Sequence, residues 1–477
     1  MSDPLWQWDE LVSATGARAD EAPAAAVTGL SIDTRTLVAG DLFIALADKR
    51  DGHEFVTAAF EGGAAAALVR SGYRRRKRDG ALLRVADPLE ALRALARAAR
   101  VRGNAKVVAV TGSAGKTGTK EMLRLCLESA GATHASQKSY NNHWGVPLTL
   151  ASMPKATEYA VIEIGMNHAG EITPLAEMAR PHVAVITTVE PVHLEFFASV
   201  EEIANAKAEI LTGLVPGGAA VLPADNAHYA LLRDKAAKLG AKVISFGYGE
   251  AADFRGLQVD LGARGSSIIA GFGSQRFPYR LGAPGEHYVR NSLAVLAALN
   301  GLGVDIMRCL PALARVSAPA GRGARIMLEA GEGQILLIDE SYNANPASVR
   351  AALAAMSTTP RDDFPRRVAV LGDMLELGET SAELHRGLKE TVDAAGIDLV
   401  LACGPMMKHL FDVLAPSQRG VWTATSAGLA GPLLETIRAG DVVMIKGSLA
   451  SAMAPLVDAL LKQYAPAGRG LEGKNAL

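Results

Sequence analysis

Short apolar runs alternate with helix-period stretches along most of this chain. Val107, Val108, Ala109 and Val110 predict a buried strand. From Lys116 to Leu127 the period changes, and Met122, Leu123 and Leu127 fall on one helical face. Further strand patterns run from Tyr159 to Gly165, Val183 to Thr188 and Ala219 to Leu222. A later set covers Ile335 to Asp339, Val368 to Asp373, Leu399 to Ala402 and Val442 to Gly447. Continuous apolar strands with helices between them predict mostly parallel sheets covered on both faces. The pattern therefore reads as α/β with three segments. Residues 1–86 mix short strands and turns into a small α/β domain. Residues 87–316 open on a helix from Leu89 to Val101 and carry a central parallel sheet with helices on both faces. Residues 317–477 repeat the alternation as a smaller Rossmann-like domain. No Gly-x-Gly-x-x-Gly follows any of the later strands, which argues against a second dinucleotide site.

The chemistry concentrates where the first of those strands meets its helix. Gly112, Ser113, Ala114, Gly115, Lys116 and Thr117 form a glycine-bearing turn between an apolar strand and a helix N-terminus. Backbone N–H groups converge in such a turn, and the helix dipole adds partial positive charge, so an anion is expected there. Lys116 would reach the outer phosphates of a nucleoside triphosphate, and the Thr117 hydroxyl would hold Mg²⁺. The full phosphate-loop pattern is not met, because Val110 stands where its first glycine belongs. The strand–turn–helix context carries the reading in its place.

Composition narrows the class without naming a partner. The 477 residues are 49% hydrophobic with a formal net charge of -1, which gives no electrostatic case for nucleic acid or an anionic membrane. No apolar run reaches the roughly 18–20 residues of a membrane span, and the acidic N-terminus does not read as a signal peptide. The three cysteines, Cys126, Cys309 and Cys403, are widely spaced with no CxxC, so a reducing, cytoplasmic setting is expected. The run Arg74 to Arg78 lies between two turn signals and reads as a solvated loop.

Three side chains stand out after the phosphate turn. Ser199 with Glu202 makes a capping-box signal, and Ile203, Ala206, Ile210 and Leu214 follow on one helical face. Lys207 lies in the middle of that face. An ammonium there must snorkel, pair with an acid or lose its charge. In the last case the neutral amine is nucleophilic, and with CO₂ it would become a carbamate able to bind Mg²⁺. Glu163 ends an apolar strand and suits Mg²⁺, which prefers oxygen ligands. His193 follows the turn Val189 to Val192. Both are expected on the rim that carries Lys116 and Thr117, at the carboxyl ends of the strands.

At this point the sequence resembles the Mur ligases, the ATP-dependent amide-bond-forming enzymes of peptidoglycan precursor synthesis. The likeness is carried by Thr111 to Thr117, Asn141 to Pro147, Glu163 to Gly165 and His193. It extends through Gly285 to Ala294, Gly321-Arg322 and Lys446 to Ser448. Asp339 to Pro346 and Gly372 to Gly378 are similar to the signature of the member that joins D-alanyl-D-alanine to UDP-N-acetylmuramoyl-tripeptide.

The resemblance implies ATP and Mg²⁺ as cofactors, with the glycine loop and Lys116 on the phosphates and Thr117 with Glu163 on a first Mg²⁺. His193 and a carbamoylated Lys207 would serve a second. Asn291 would contact the adenine, Arg322 the phosphates and Asp339 the ribose side, while Tyr342, Asn343 and Asn345 shape a pocket closed by the last domain. Ser31, Thr34 and Arg35 would help hold the uridine diphosphate end, although alone they read as a polar strand end with a turn. Asn141 and Asn142 would face the sugar-peptide. A monomer is implied. The chain departs from the family pattern in having Glu340 for the usual Asp and Leu449 for the usual Arg. Another ligase of the family, adding a single amino acid, is the rival of the same class. A phosphate-loop module that binds ATP and ligates nothing is the rival from another.

Overall fold

The computed structural model describes residues 4–137, 139–192, 194–262 and 265–466. Among these residues three sheets, of five, nine and six strands, follow one another along the chain.

The first sheet has the order Arg18–Ala19, Ala81–Val85, Ala66–Arg70, Asp41–Ile44, Gly29–Ser31, and all but its first pairing are parallel. The helix Pro88–Arg102 follows it. Asp87 caps the helix by accepting the Leu89 and Glu90 amides, and proline occupies its first turn, where a missing N–H costs nothing. Leu92, Leu95 and Ala99 pack into the core of the first sheet, while Ala96 packs with the second. The helix therefore seats one layer on the next.

In the central sheet the strand Lys106–Thr111 lies between Tyr159–Glu163 and Val183–Ile186, all parallel. Ala219–Pro223 and Lys242–Gly247 extend the parallel run. Period-two alternation divides the core. Val108, Val110, Val161 and Val185 face the helices Lys116–Glu128 and Glu286–Leu302, whereas Val107, Ala109, Ile162 and Ile186 face Ile172–Ala179 and Val200–Ala208. Both faces are covered, as expected. The sequence reading did not anticipate the antiparallel extension Phe254–Gly262, Gly265–Phe272 and Gln275–Leu281. Its outer strand buries only alternate residues, Phe277, Tyr279 and Leu281, so it lacks the apolar run that marked the others.

The third sheet runs Ala324–Ala330, Gly333–Glu340, Asp441–Lys446, Arg366–Gly372, Leu399–Cys403, Arg419–Thr423, antiparallel only at its first pairing. The loops at the carboxyl ends of Gly333–Glu340, Arg366–Gly372 and Asp441–Lys446 point back to the phosphate turn.

Candidate active site

The turn after Lys106–Thr111 is held by close packing. A Cβ on Gly112 would lie 1.9 Å from Thr187 Oγ1. Gly115 takes φ 82°, the left-handed region, and a Cβ there would meet Asn291 Nδ2 at 2.6 Å. Ser113 donates its hydroxyl to the Glu190 carbonyl at 3.1 Å and accepts the Glu190 amide at 2.9 Å. Lys116 Nζ lies over the loop and donates to the Gly112 carbonyl at 2.6 Å.

Glu163 is fully buried beneath this turn. Thr117 Oγ1 donates to its Oε2 at 3.0 Å and Asn141 Nδ2 to its Oε1 at 2.8 Å. A buried carboxylate held by two neutral donors, beside a hydroxyl oxygen, is a donor set that fits Mg²⁺. Among the described residues no group of three or more His, Cys, Asp or Glu gathers into a metal cage. Mg²⁺ needs none, since waters and phosphates complete its shell.

The helix expected after Ser199 forms as Val200–Ala208, with Ser199 Oγ accepting the Glu202 amide at 3.2 Å. Glu202 answers one residue earlier than a capping box would, accepting from the Ala198 amide at 2.9 Å. After Ala208 the chain tightens into a 3-10 turn, Glu209–Gly213. Lys207 is 2% exposed, which excludes snorkelling, and no carboxylate pairs with it among the described residues. Burial, reinforced by the neighbouring Lys116, pushes its amine well below the usual lysine range. Burial also lowers Lys116; Glu163 pulls that amine back up and Arg322 pushes it down. His193 lies outside the described residues.

A cavity of 720 Å³ opens above the turn, with the third sheet as its far wall. Ser113, Ala114, Gly115, Lys116, Asn141, Asn291, Arg322, Tyr342, Asn343 and Asn345 line it, so half of the expected set meets in one place. Asn291 sits against Gly115, close to the phosphate turn. Asp339 lies behind the wall, where its carboxylate accepts the Gly321 amide at 2.7 Å and the Ser341 hydroxyl at 2.6 Å. Those bonds fix Gly321-Arg322 against Tyr342, over whose ring the guanidinium sits at 4.0 Å. Arg322 also bridges to the central sheet, donating to Ser139 Oγ at 3.1 Å.

Ser31, Thr34, Arg35 and Asn142 do not line this cavity. Arg35 is exposed and paired with Asp33 at 2.6 Å, on the rim of the first sheet. Asn142 accepts the Gly145 amide at 2.9 Å, in the turn that leads into the next helix. The Asn141 carbonyl accepts the Gly165 amide, and Tyr140 of the same loop packs on the core of the first sheet.

The sequence reading missed a buried ion pair in the cavity wall. Lys446 Nζ donates to Glu340 Oε2 at 3.0 Å and to the Asn343 carbonyl at 2.9 Å. The partners are far apart in sequence, and the only available signal was a lysine ending an apolar strand. Lys446→Met is expected to cost about 3 kcal/mol by leaving the carboxylate without its cation. Faster hydrogen exchange in Gly333–Glu340 and Asp441–Lys446 would register it; unchanged protection would show that the pair is dispensable.

This architecture is that of an ATP-dependent ligase. The Mur ligase middle domain model matches residues 110–299, and that of the Mur ligase, glutamate ligase domain matches residues 324–449. The chain belongs to the Mur ligase family. Within it, the UDP-N-acetylmuramoyl-tripeptide–D-alanyl-D-alanine ligase of Escherichia coli (strain K12) is 36% identical over 435 residues, covering 90% of this chain and 93% of that protein. The crystal structure of MurF from Acinetobacter baumannii superposes with a TM-score of 0.81 at 29% identity, covering 96% of this chain and 99% of that one. MurF from Thermotoga maritima in complex with ADP gives 0.73 at 26% identity, covering 91% and 97%.

Proposed function

We infer that this chain joins D-alanyl-D-alanine to UDP-N-acetylmuramoyl-tripeptide, converting ATP to ADP and phosphate and giving the pentapeptide precursor of peptidoglycan. One observation carries the reading: Lys116 and Asn141, which flank the buried Thr117–Glu163 pair, line the same cavity as Glu340, Tyr342, Asn343 and Asn345 from the third sheet.

A carboxylate is a poor acyl donor, so the tripeptide carboxylate first attacks the γ-phosphate of ATP. An O–P bond forms, ADP leaves, and an acyl phosphate results. Lys116 and the loop amides stabilise the charge that gathers on the phosphoryl oxygens. Thr117 and Glu163 would hold Mg²⁺, whose chemistry is to neutralise phosphate charge. The amine of the dipeptide then attacks the acyl carbon, the C–N bond forms, a proton is lost, and phosphate departs. Arg322, reaching from the third sheet to Ser139, keeps the two domains together over the acyl phosphate and excludes water.

Lys207 is proposed to react with CO₂, its neutral amine forming an N–C bond and releasing a proton, so that the resulting carbamate serves a second Mg²⁺ with His193. Ser31, Thr34 and Arg35 are proposed for the uridine diphosphate end, and Asn141 and Asn142 for the sugar-peptide. In this reading residues 1–86, 87–316 and 317–477 hold UDP-sugar, ATP and dipeptide respectively, and the enzyme works as a cytoplasmic monomer. Among the described residues no helix is long and apolar enough to cross a membrane.

Mass analysis of products made with D-alanyl-D-alanine, and with single amino acids in its place, tests the assignment. Pentapeptide from the dipeptide alone is expected. Tetrapeptide from a single amino acid, with the dipeptide inert, would move the chain to another ligase of the family.

A further inference from the structure

Lys120 is fully buried, yet the reaction gives it no task. It stands one turn beyond Lys116 on the helix Lys116–Glu128, on the face that carries Leu123 and Leu127. Its ammonium donates to the Ser136 carbonyl at 2.8 Å and pairs with Glu121 at 2.7 Å. Ser136 is itself buried, and its hydroxyl accepts the amide of Glu163 at 3.1 Å. The segment then runs on to Asn141, whose side chain donates to the Glu163 carboxylate at 2.8 Å. One helix thus touches Glu163 directly, through Thr117 at 3.0 Å, and indirectly, through Lys120 and Ser136.

We propose that Lys120 is a positioning residue for the metal carboxylate: it fixes the Ser136 segment, which in turn sets the backbone of Glu163 and brings Asn141 to its side chain. The inference rests on the reading of Thr117 and Glu163 as the Mg²⁺ site. Burying an ammonium is costly, and a lysine serving packing alone is replaceable by methionine. Here, among the described residues, Ser136 and Glu121 on different elements fix where the ammonium sits. Ligand-orienting contacts of this kind typically govern metal affinity by about 10–100-fold.

The test is calorimetric binding of ADP across a magnesium titration, with no turnover involved. Glu121 keeps Arg124 at 2.8 Å when Lys120 is replaced, so Lys120→Met does not leave the Glu121 carboxylate unpaired. Lys120→Met is expected to raise the magnesium concentration needed for tight ADP binding by about 10-fold or more. ADP affinity without magnesium should be unchanged, and Lys120→Arg should recover part of the loss. Ser136→Ala, which removes the acceptor of the Glu163 amide, should act in the same direction and serves if Lys120→Met fails to fold. Glu163→Gln is the control. If it raises the magnesium requirement while both Lys120→Met and Ser136→Ala do not, the positioning role is overturned. If Glu163→Gln also leaves it unchanged, the metal site itself is misassigned and the inference falls with it.

Discussion

Lys116→Ala is expected to lower the rate of pentapeptide formation by about 10²–10³-fold. The amine sits where charge builds during phosphoryl transfer, so the loss should fall on kcat more than on KM for ATP. The loop itself should survive. The bond from Lys116 to the Gly112 carbonyl is lost, but Thr187 still donates to the Ala114 carbonyl and Ser113 stays bonded to Glu190. ADP should therefore still bind, with weaker affinity. Steady-state kinetics beside ADP calorimetry separates the two effects. A variant that keeps its kcat while losing ATP affinity would show Lys116 to be only a binding residue.

Lys207→Met is expected to reduce ligation by about 10²-fold while making the folded protein more robust. The two effects come from the same burial. The amine is held well below its ordinary 10.5, so between the folded and unfolded values the unfolded chain binds a proton that the folded chain does not. Stability contributed by this site therefore rises with pH, from the folded value up to the unfolded one, and at neutral pH the lysine is a net cost. Methionine fills similar volume without that cost. In bicarbonate-free buffer the variant should melt a few degrees higher, about 2–4 °C for each kcal/mol recovered. Its melting temperature should also rise less steeply with pH. The same buffer should slow the wild-type enzyme, and added bicarbonate should restore it. Wild-type activity indifferent to bicarbonate would remove the carbamate, though not the buried amine.

How much of this was readable beforehand follows from where each interaction lies along the chain. The parallel strands were legible because both faces are buried, which makes Val107 to Val110 and Val183 to Ile186 continuous apolar runs. The antiparallel strands after Phe254 were not. Phe254–Gly262 is half exposed and carries glycines at Gly256 and Gly262. Lys207 was legible because a cation on an apolar helical face is a conflict visible in sequence. Lys120 poses the same conflict beside Leu123 and Leu127, but the phosphate turn a few residues earlier drew the reading away from it. The partners of Lys120 and of Lys446 were beyond reach. Ser136 supplies Lys120 with a backbone carbonyl, which carries no sequence signal, and Glu340 meets Lys446 only after the strands pair. Ser31, Thr34 and Arg35 showed as a polar turn, and the fold places them there, on a sheet apart from the nucleotide cavity.

The central claim is that one cavity carries phosphate from ATP to the tripeptide carboxylate and then exchanges it for an amine. The most direct measurement uses UDP-N-acetylmuramoyl-tripeptide with its terminal carboxylate enriched in heavy oxygen, incubated with ATP, magnesium and D-alanyl-D-alanine. The account predicts that the inorganic phosphate released carries one heavy oxygen from the substrate, and that its release requires both the tripeptide and the dipeptide. Unlabelled phosphate, or phosphate formed without either substrate, would contradict it.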